Sequence, residues 1–270
     1  MLHVTNGDSA CVLIERIVDG DVIAWRDALH EGPVPDVPPD ELRRVRARFL
    51  AECGWSDESP ALRELEERDA AVVEALELCL WFEHDLYDQL QLLQVLALAR
   101  GPVELVQSDR FLAELAPDEL GRLYESRRPL DHAQRALAAR AWAAFRAPEP
   151  TALAELVDDD TAALPFLGAA LRRHLDQLPD RQSGLARTER LVLDVVLADA
   201  RTREDVFRSV QRLDRPSFMG DSALWLWLER LEPLIGREPF ELTPRAISID
   251  TGAERWRTPA RWLGGIRLQE

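Results

Sequence analysis

At 270 residues the chain is long for one core, and with 46% hydrophobic and 30% charged side chains it has the composition of an ordinary folded protein. Its net charge of −16 opposes indiscriminate nucleic-acid binding, which rests on a local excess of positive charge. The three cysteines, Cys11, Cys53 and Cys79, form no Cys-x-x-Cys pair, which argues against a disulfide framework or a structural zinc site and for buried free thiols.

The charge is unevenly placed. From Arg187 to the end 14 arginines meet 14 acidic residues, so residues 1–186, with 19 arginines against 35 acidic residues, carry the whole imbalance. No basic leader precedes an apolar run at the start, and no stretch approaches the roughly 20 apolar residues that span a bilayer. A cytoplasmic protein without membrane contact is the expectation.

In chain order, Leu2 to Thr5 reads as a strand, Ser9 to Ile17 as a helix and Val22 to Trp25 as a second strand. The Pro-rich loop "GPVPDVPP" leads to a helix from about Asp40 to Glu52, in which Leu42, Val45 and Phe49 recur at helical spacing. After a polar connection, "AVVEALELCLWFEHD" reads as a helix turn followed by a buried strand ending near Phe82. The helix "LYDQLQLLQVLALA" comes next, then the Gly101-Pro102 break and the strand "VELVQSD". Strands alternating with helices predict a parallel sheet covered by helices, a doubly wound α/β domain of Rossmann or flavodoxin type over residues 1–128.

From Pro129 the strand signal disappears, and residues 129–182 read as a helical connector. The segment 183–270 has a different grammar: helices at about Thr188 to Ala200, Arg203 to Arg212 and Asp221 to Leu231, then candidate strands around "FELTP" and "AISID". Three helices followed by a β ribbon predict a winged-helix-like α+β domain. Its third helix groups Asp221, Trp225 and Glu229 on one face, which suits protein packing better than base reading. Arg255, Arg257, Arg261 and Arg267 near the end are the best place to seek a nucleic-acid contact.

In a doubly wound sheet the loops leaving the strands converge on one crevice. Those loops here hold Asn6-Gly7-Asp8-Ser9, Arg26-Asp27 with His30-Glu31, Glu83-His84-Asp85, and Ser108-Asp109. Asp8, Asp27 and Asp85, with Glu31 and Glu83 beside them, offer hard oxygen ligands for Mg²⁺ or Mn²⁺. His30, His84 and Glu31 are the candidate acid–base groups. Asn6, Gly7, Ser9 and Arg26 are the candidate ligand contacts, since the turn at Gly7 opens onto helix amides that suit an anion. The competing reading of Asp8 and Ser9 is a simple helix cap. "GDS" after a first strand is shared with Gly-Asp-Ser esterases, but the Gly-x-Asn-Asp block and the late Asp-x-x-His that would complete such a site are missing. His3, His132 and His174 read as structural or surface groups. On "LYDQLQLLQVLALA" the polar Asp88, Gln89 and Gln91 interrupt an otherwise apolar circumference.

The stretches "HVTNGDSA", "WRDALHEGPVP", "LWFEHDLYDQLQLLQVL", "LPFLGAALRRHLDQLP", "GLARTERLVLDVV" and "RWLGGIRL" together resemble a bacterial family of uncharacterised proteins, a domain-of-unknown-function group named for its N-terminal module. The likeness runs over nearly the whole chain. It implies that Asn6, Gly7, Asp8, Trp25, Arg26, Asp27, His30, Glu31, Gly32 and His84 are signature positions, and it implies no activity.

Three functions follow as expectations. The first is a crevice binding a small phosphorylated or nucleotide-like ligand, with a divalent metal and phosphoester chemistry. The second is a ligand-responsive regulator whose rear domain contacts DNA or a protein. The third is a noncatalytic interaction protein whose polar signatures brace turns.

Overall fold

The computed structural model describes residues 1–269. They form two compact units, one of Met1–Arg172 with Gly264–Ile266, the other of Arg173–Leu263 with the chain from Arg267 onward.

The first unit is α/β. It runs β1 (Leu2–Thr5), α1 (Asp8–Ile14), β2 (Asp21–Ala24), β3 (Gly32–Pro33), α2 (Pro39–Glu52), α3 (Glu58–Glu74), β4 (Leu78–Glu83), α4 (Leu86–Leu98) and β5 (Val103–Ser108). There follow α5 (Pro117–Glu125), the two-residue β6 (Arg128–Pro129), α6 (His132–Arg146), α7 (Thr151–Asp158) and α8 (Leu167–Leu175), whose last residues begin the second unit. Five strands form a mixed, mostly parallel sheet in the order β2-β1-β4-β5-β6, with only β6 antiparallel to its neighbour. Val4 pairs with Ile23 on one side and Leu80 on the other, and Leu80 pairs with Leu105.

Every residue of β4 is buried, as a central parallel strand covered on both faces requires. Cys79 and Trp81 pack with Ala10 and Ile14 of α1 and with Leu120 of α5. Leu78, Leu80 and Phe82 alternate with them and face the other side. The chain steps from β1 outward to β2 in one direction and from β4 outward to β5 in the other, so right-handed crossovers place α1 and α4 on opposite faces.

The polar connection expected before β4 is instead a 17-residue helix, α3. Its inward stripe of Ala61, Leu65, Arg68, Asp69 and Val72 has helical spacing, but two of its five members are charged. That dilution hides the periodicity from a purely apolar pattern.

The second unit is mainly helical: α9 (Arg187–Leu197), α10 (Arg203–Leu213), α11 (Asp221–Arg230), α12 (Glu232–Ile235) and α13 (Pro244–Asp250). The three helices expected after residue 186 are present. The strands expected at "FELTP" and "AISID" are not: Thr243 accepts from the Ala246 N–H and Pro244 opens the helix, so the segment winds into α13 with Ala246 and Ile249 inward. The strands of this region are β7 (Arg261–Gly264) and β8 (Ile266–Leu268). Gly264 and Gly265 belong to the first unit, where the Gly264 carbonyl accepts from Val34 N–H at 2.7 Å and Gly265 N–H donates to Phe145 O at 3.0 Å. A Cβ on Gly265 would collide with the Arg146 carbonyl, which explains a glycine there. Among the described residues no helix is long and apolar enough to cross a membrane.

Candidate functional site

Strand order reverses between β1 and β4, and at such a switch point the loops leaving two neighbouring strands diverge and open a crevice. The loop after β1 brings Asn6 there, and the turn from β4 into α4 brings Glu83, Asp85 and Asp88. Ligand atoms of these three carboxylates lie within 4.8 Å of one another, and all three side chains are buried.

The arrangement follows from local chemistry. Asp85 caps α4, accepting from Asp88 N–H at 3.1 Å, and so ties the turn to the helix start. Asp88, one turn along, accepts from Glu83 N–H at 2.7 Å and from Asn6 Nδ2 at 2.8 Å. Glu83 accepts from Leu112 N–H at 2.7 Å, and Gln89 Nε2 donates to the Glu83 carbonyl at 2.6 Å. The donors are amides; among the described residues no arginine or histidine forms an ion pair with any of the three.

Burial therefore dominates their titration. It pushes both Glu83 and Asp85 up to about 7 and Asp88 well above the usual carboxylate range, and repulsion by neighbouring carboxylates adds to the effect at Glu83 and Asp88. His84 stands between Glu83 and Asp85 in sequence, half-buried, with its ring 5.7 Å from that of Phe111 and 6.0 Å from that of Phe166. Desolvation lowers its pKa, partly opposed by Asp109, so near neutral pH the imidazole is held uncharged.

Of the carboxylates expected to hold metal, Asp85 joins this cluster and Asp8 and Asp27 are committed elsewhere. Asp27 is buried and paired with Arg46 at 2.6 Å, Arg46 Nε adding a bond of 3.1 Å. Arg46 also donates to the carbonyls of Ala28, Glu31 and Pro33, so it clamps the whole "DALHEGP" loop. Asp8 is mostly exposed and ion-paired with Arg26, whose guanidinium also reaches Glu64 at 2.5 Å. That contact holds the Asp8 carboxyl below its ordinary range and turns Arg26 away from service as a free anion receptor.

The remaining expected positions are not part of the carboxylate cluster. His30 is buried, edge-on to Tyr87 at 5.8 Å, and Glu31 is buried beside it in the clamped loop. Gly7 caps α1 in an extended conformation with open space around it, and Ser9 is exposed on the first turn. His3 accepts from Trp81 Nε1 at 3.1 Å inside the core. The thiols are free; Cys79 is buried and Cys11 and Cys53 are half-buried, and burial raises Cys11 to about 11 and Cys79 to about 12, so both stay protonated.

Asn6 was expected as a ligand contact and instead braces Asp88. Asp88, which with Gln89 and Gln91 reads from the sequence either as pointing toward the crevice or as an ordinary exposed position, is buried and joins the cluster. Its signal was present: it is the acidic member of the polar set interrupting "LYDQLQLLQVLALA". Gln91 of that set and Gln94 further along α4 hold the chain that follows β2. Gln91 Nε2 donates to the Trp25 and Asp27 carbonyls at 2.6 and 3.1 Å, and Gln94 accepts from Trp25 Nε1 at 2.8 Å.

In the second unit Trp225 is half-buried with its ring 6.1 Å from that of Phe207 of α10, while Asp221 and Glu229 on the same face of α11 are exposed. Arg261, one of the four arginines where a nucleic-acid contact would best be sought, is buried and donates to the Gln177 carbonyl at 2.7 Å.

The chain was compared with protein-family models, curated proteins and solved structures, and none of the three comparisons gave a match.

Proposed function

We propose that the switch-point crevice holds a divalent cation, Mg²⁺ or Mn²⁺, on Glu83, Asp85 and Asp88, and through that cation binds a small phosphorylated or nucleotide-like ligand. The observation that carries this reading is the meeting of three buried carboxylates without a basic partner. Burying ionised groups is costly unless a counter-charge is present, and a hard cation with oxygen ligands supplies one. Carboxylates that a metal would use are otherwise repulsive to phosphate, so the cation is also what makes an anionic ligand compatible with this crevice.

The strand order and the helices on both faces suit a flavodoxin-like or Rossmann-like reading of the first unit, in which ligands bind at this edge. The stretches "HVTNGDSA" and "LWFEHDLYDQLQLLQVL", which carry part of the family resemblance, are the two that meet here through Asn6 and Asp88. A cation held by Glu83, Asp85 and Asp88 would supply the Lewis acid for phosphoester chemistry, and neutral His84, between Glu83 and Asp85 in the chain, would be the candidate proton acceptor.

The test is a titration of Mn²⁺ into the full-length protein, with free Mn²⁺ followed by electron paramagnetic resonance and the melting temperature recorded in parallel. Wild type is expected to bind saturably with a rise in melting temperature, and Asp85→Asn to lose both responses. With Mn²⁺ bound, a panel of nucleotides and sugar phosphates then identifies the ligand class. No saturable Mn²⁺ binding by wild type at millimolar concentration overturns the proposal.

A further inference from the structure

A polar cavity lies in the first unit, among α2, α3, the C-terminal half of α4 and α6. It has a volume of about 260 Å³ and is lined on one side by Leu42, Leu65, Leu98 and Trp142. None of its lining residues belongs to the carboxylate cluster.

The charge of its wall is unusual for a chain of net charge −16: four arginines, Arg43, Arg46, Arg68 and Arg146, line it against a single carboxylate, Asp69. The pairings leave positive charge over. Asp27 neutralises Arg46. Arg146 is satisfied mainly by main-chain oxygens, the Pro35 carbonyl at 2.9 Å and the Val37 carbonyl at 2.5 Å, with the exposed Asp36 at 3.3 Å. Asp69 must then serve two guanidiniums at once, Arg43 at 3.2 Å and Arg68 at 3.1 Å.

Arg68 is the telling residue. It is 6% exposed, its guanidinium lies 3.7 Å from the centre of the Trp25 ring, and its Nη1 is buried with no hydrogen-bond partner. Arg43 Nε is likewise buried and unmatched. A guanidinium offers five donors in a rigid fork, and leaving them unpaired in a low-dielectric site is costly. Stacking on Trp25 fixes the plane of the fork, so its remaining donors are pre-aimed. Burial holds the guanidinium below its ordinary range, and an anion alongside would offset that cost.

We propose that this cavity binds a small organic anion, its phosphate or carboxylate head held by Arg43 and Arg68 and its apolar body against Leu42, Leu65, Leu98 and Trp142. The volume, about 260 Å³, lies just below the roughly 300 Å³ at which drug-sized ligand pockets start, and suits a single ring bearing one anionic group. Asp69 is the resident competitor for the two arginines, which makes the sign of its removal diagnostic.

Phenyl phosphate is the probe, with benzoate, inorganic phosphate and phenol as comparators, titrated calorimetrically into the full-length protein in EDTA so that the carboxylate cluster takes no metal. Wild type is expected to bind phenyl phosphate or benzoate saturably, and more tightly than inorganic phosphate or phenol. Arg43→Gln, on a partly exposed side chain, is expected to weaken binding about tenfold, the worth of one charge-assisted bond. Ala97→Trp, at an exposed position on the cavity wall, fills the space from outside the core and is expected to abolish binding. Asp69→Asn is expected to tighten it by freeing both guanidiniums. No saturable binding of either aromatic anion to wild type overturns the proposal. So do wild-type affinities in both Arg43→Gln and Ala97→Trp, and inorganic phosphate binding as tightly as phenyl phosphate removes the apolar subsite.

Discussion

Three carboxyl groups buried together must keep protons that the unfolded chain releases, and stability then falls as pH rises. An unfolded Asp titrates near 3.8, whereas Asp88 in the fold lies well above that range and Asp85 near 7, burial being the main cause for both. Between the two values the native state binds more protons than the unfolded state, and each retained proton costs about 1.4 kcal/mol of stability per pH unit. Wherever Asp88 stays protonated in the fold, its single proton therefore lowers stability by at most about 1.4 kcal/mol for each pH unit of rise. His3 and His84 act with the opposite sign: burial lowers their pKa values below 6.5, so the unfolded chain takes up their protons in acid and stability rises as pH increases. Comparing wild type with Asp88→Asn cancels the histidine contributions. Asparagine keeps the shape and an oxygen for the Glu83 N–H, and half-buried Asn6 can turn its amide to match. The assay is urea unfolding of both proteins in EDTA at pH 5.5, 6.5 and 7.5. The stability of wild type relative to the variant is expected to drop as pH rises across that range, with a slope no steeper than about 1.4 kcal/mol per pH unit for the one proton removed. Parallel pH profiles would refute the reasoning, since they would mean that Asp88 is ionised in both states.

Asp27→Ala leaves Arg46 buried without its carboxylate and is expected to cost about 3–5 kcal/mol in urea unfolding; a loss under 1 kcal/mol would show that water reaches the pair. Asp8→Ala removes an exposed ion pair and is expected to change stability by less than about 1 kcal/mol, so its melting temperature should stay near that of wild type. Gly32 has a φ of +76° and a Cβ there would meet the Phe49 ring at 2.5 Å. Gly32→Ala should thus lower the melting temperature markedly through both strain and overlap, and an unchanged value would contradict the packing of the "HEGP" turn on α2.

Much of the first unit was legible from pattern alone. The continuous apolar run of β4, the alternation of strand and helix, and the helices on either side of it follow from short-range periodicity and punctuation by Gly and Pro. What failed was local in origin too. The stripe of α3 carries Arg68 and Asp69 where apolar residues were sought, and "AISID" has strand-like composition yet follows a Thr-Pro helix start. In both cases a local signal was present, the helical spacing of the α3 stripe and the Thr243-Pro244 helix start, and the composition read across it concealed it.

The candidate site divides in the same way. Sequence alone placed acidic and polar side chains at the ends of β1, β2 and β4, because a chain leaving a strand exposes its next residues at the sheet edge. Which of them meet was decided by strand order. With β1 beside β4, Asn6 reaches Asp88, while the loop after β2 turns to α2 and gives Asp27 to Arg46. The sequence determined the donors and acceptors available and the elements that carry them. The tertiary structure alone decided which charges are neutralised and which stay buried without a partner, because that balance depends on long-range contacts across 82 positions for Asn6 and Asp88 and 19 for Arg46 and Asp27.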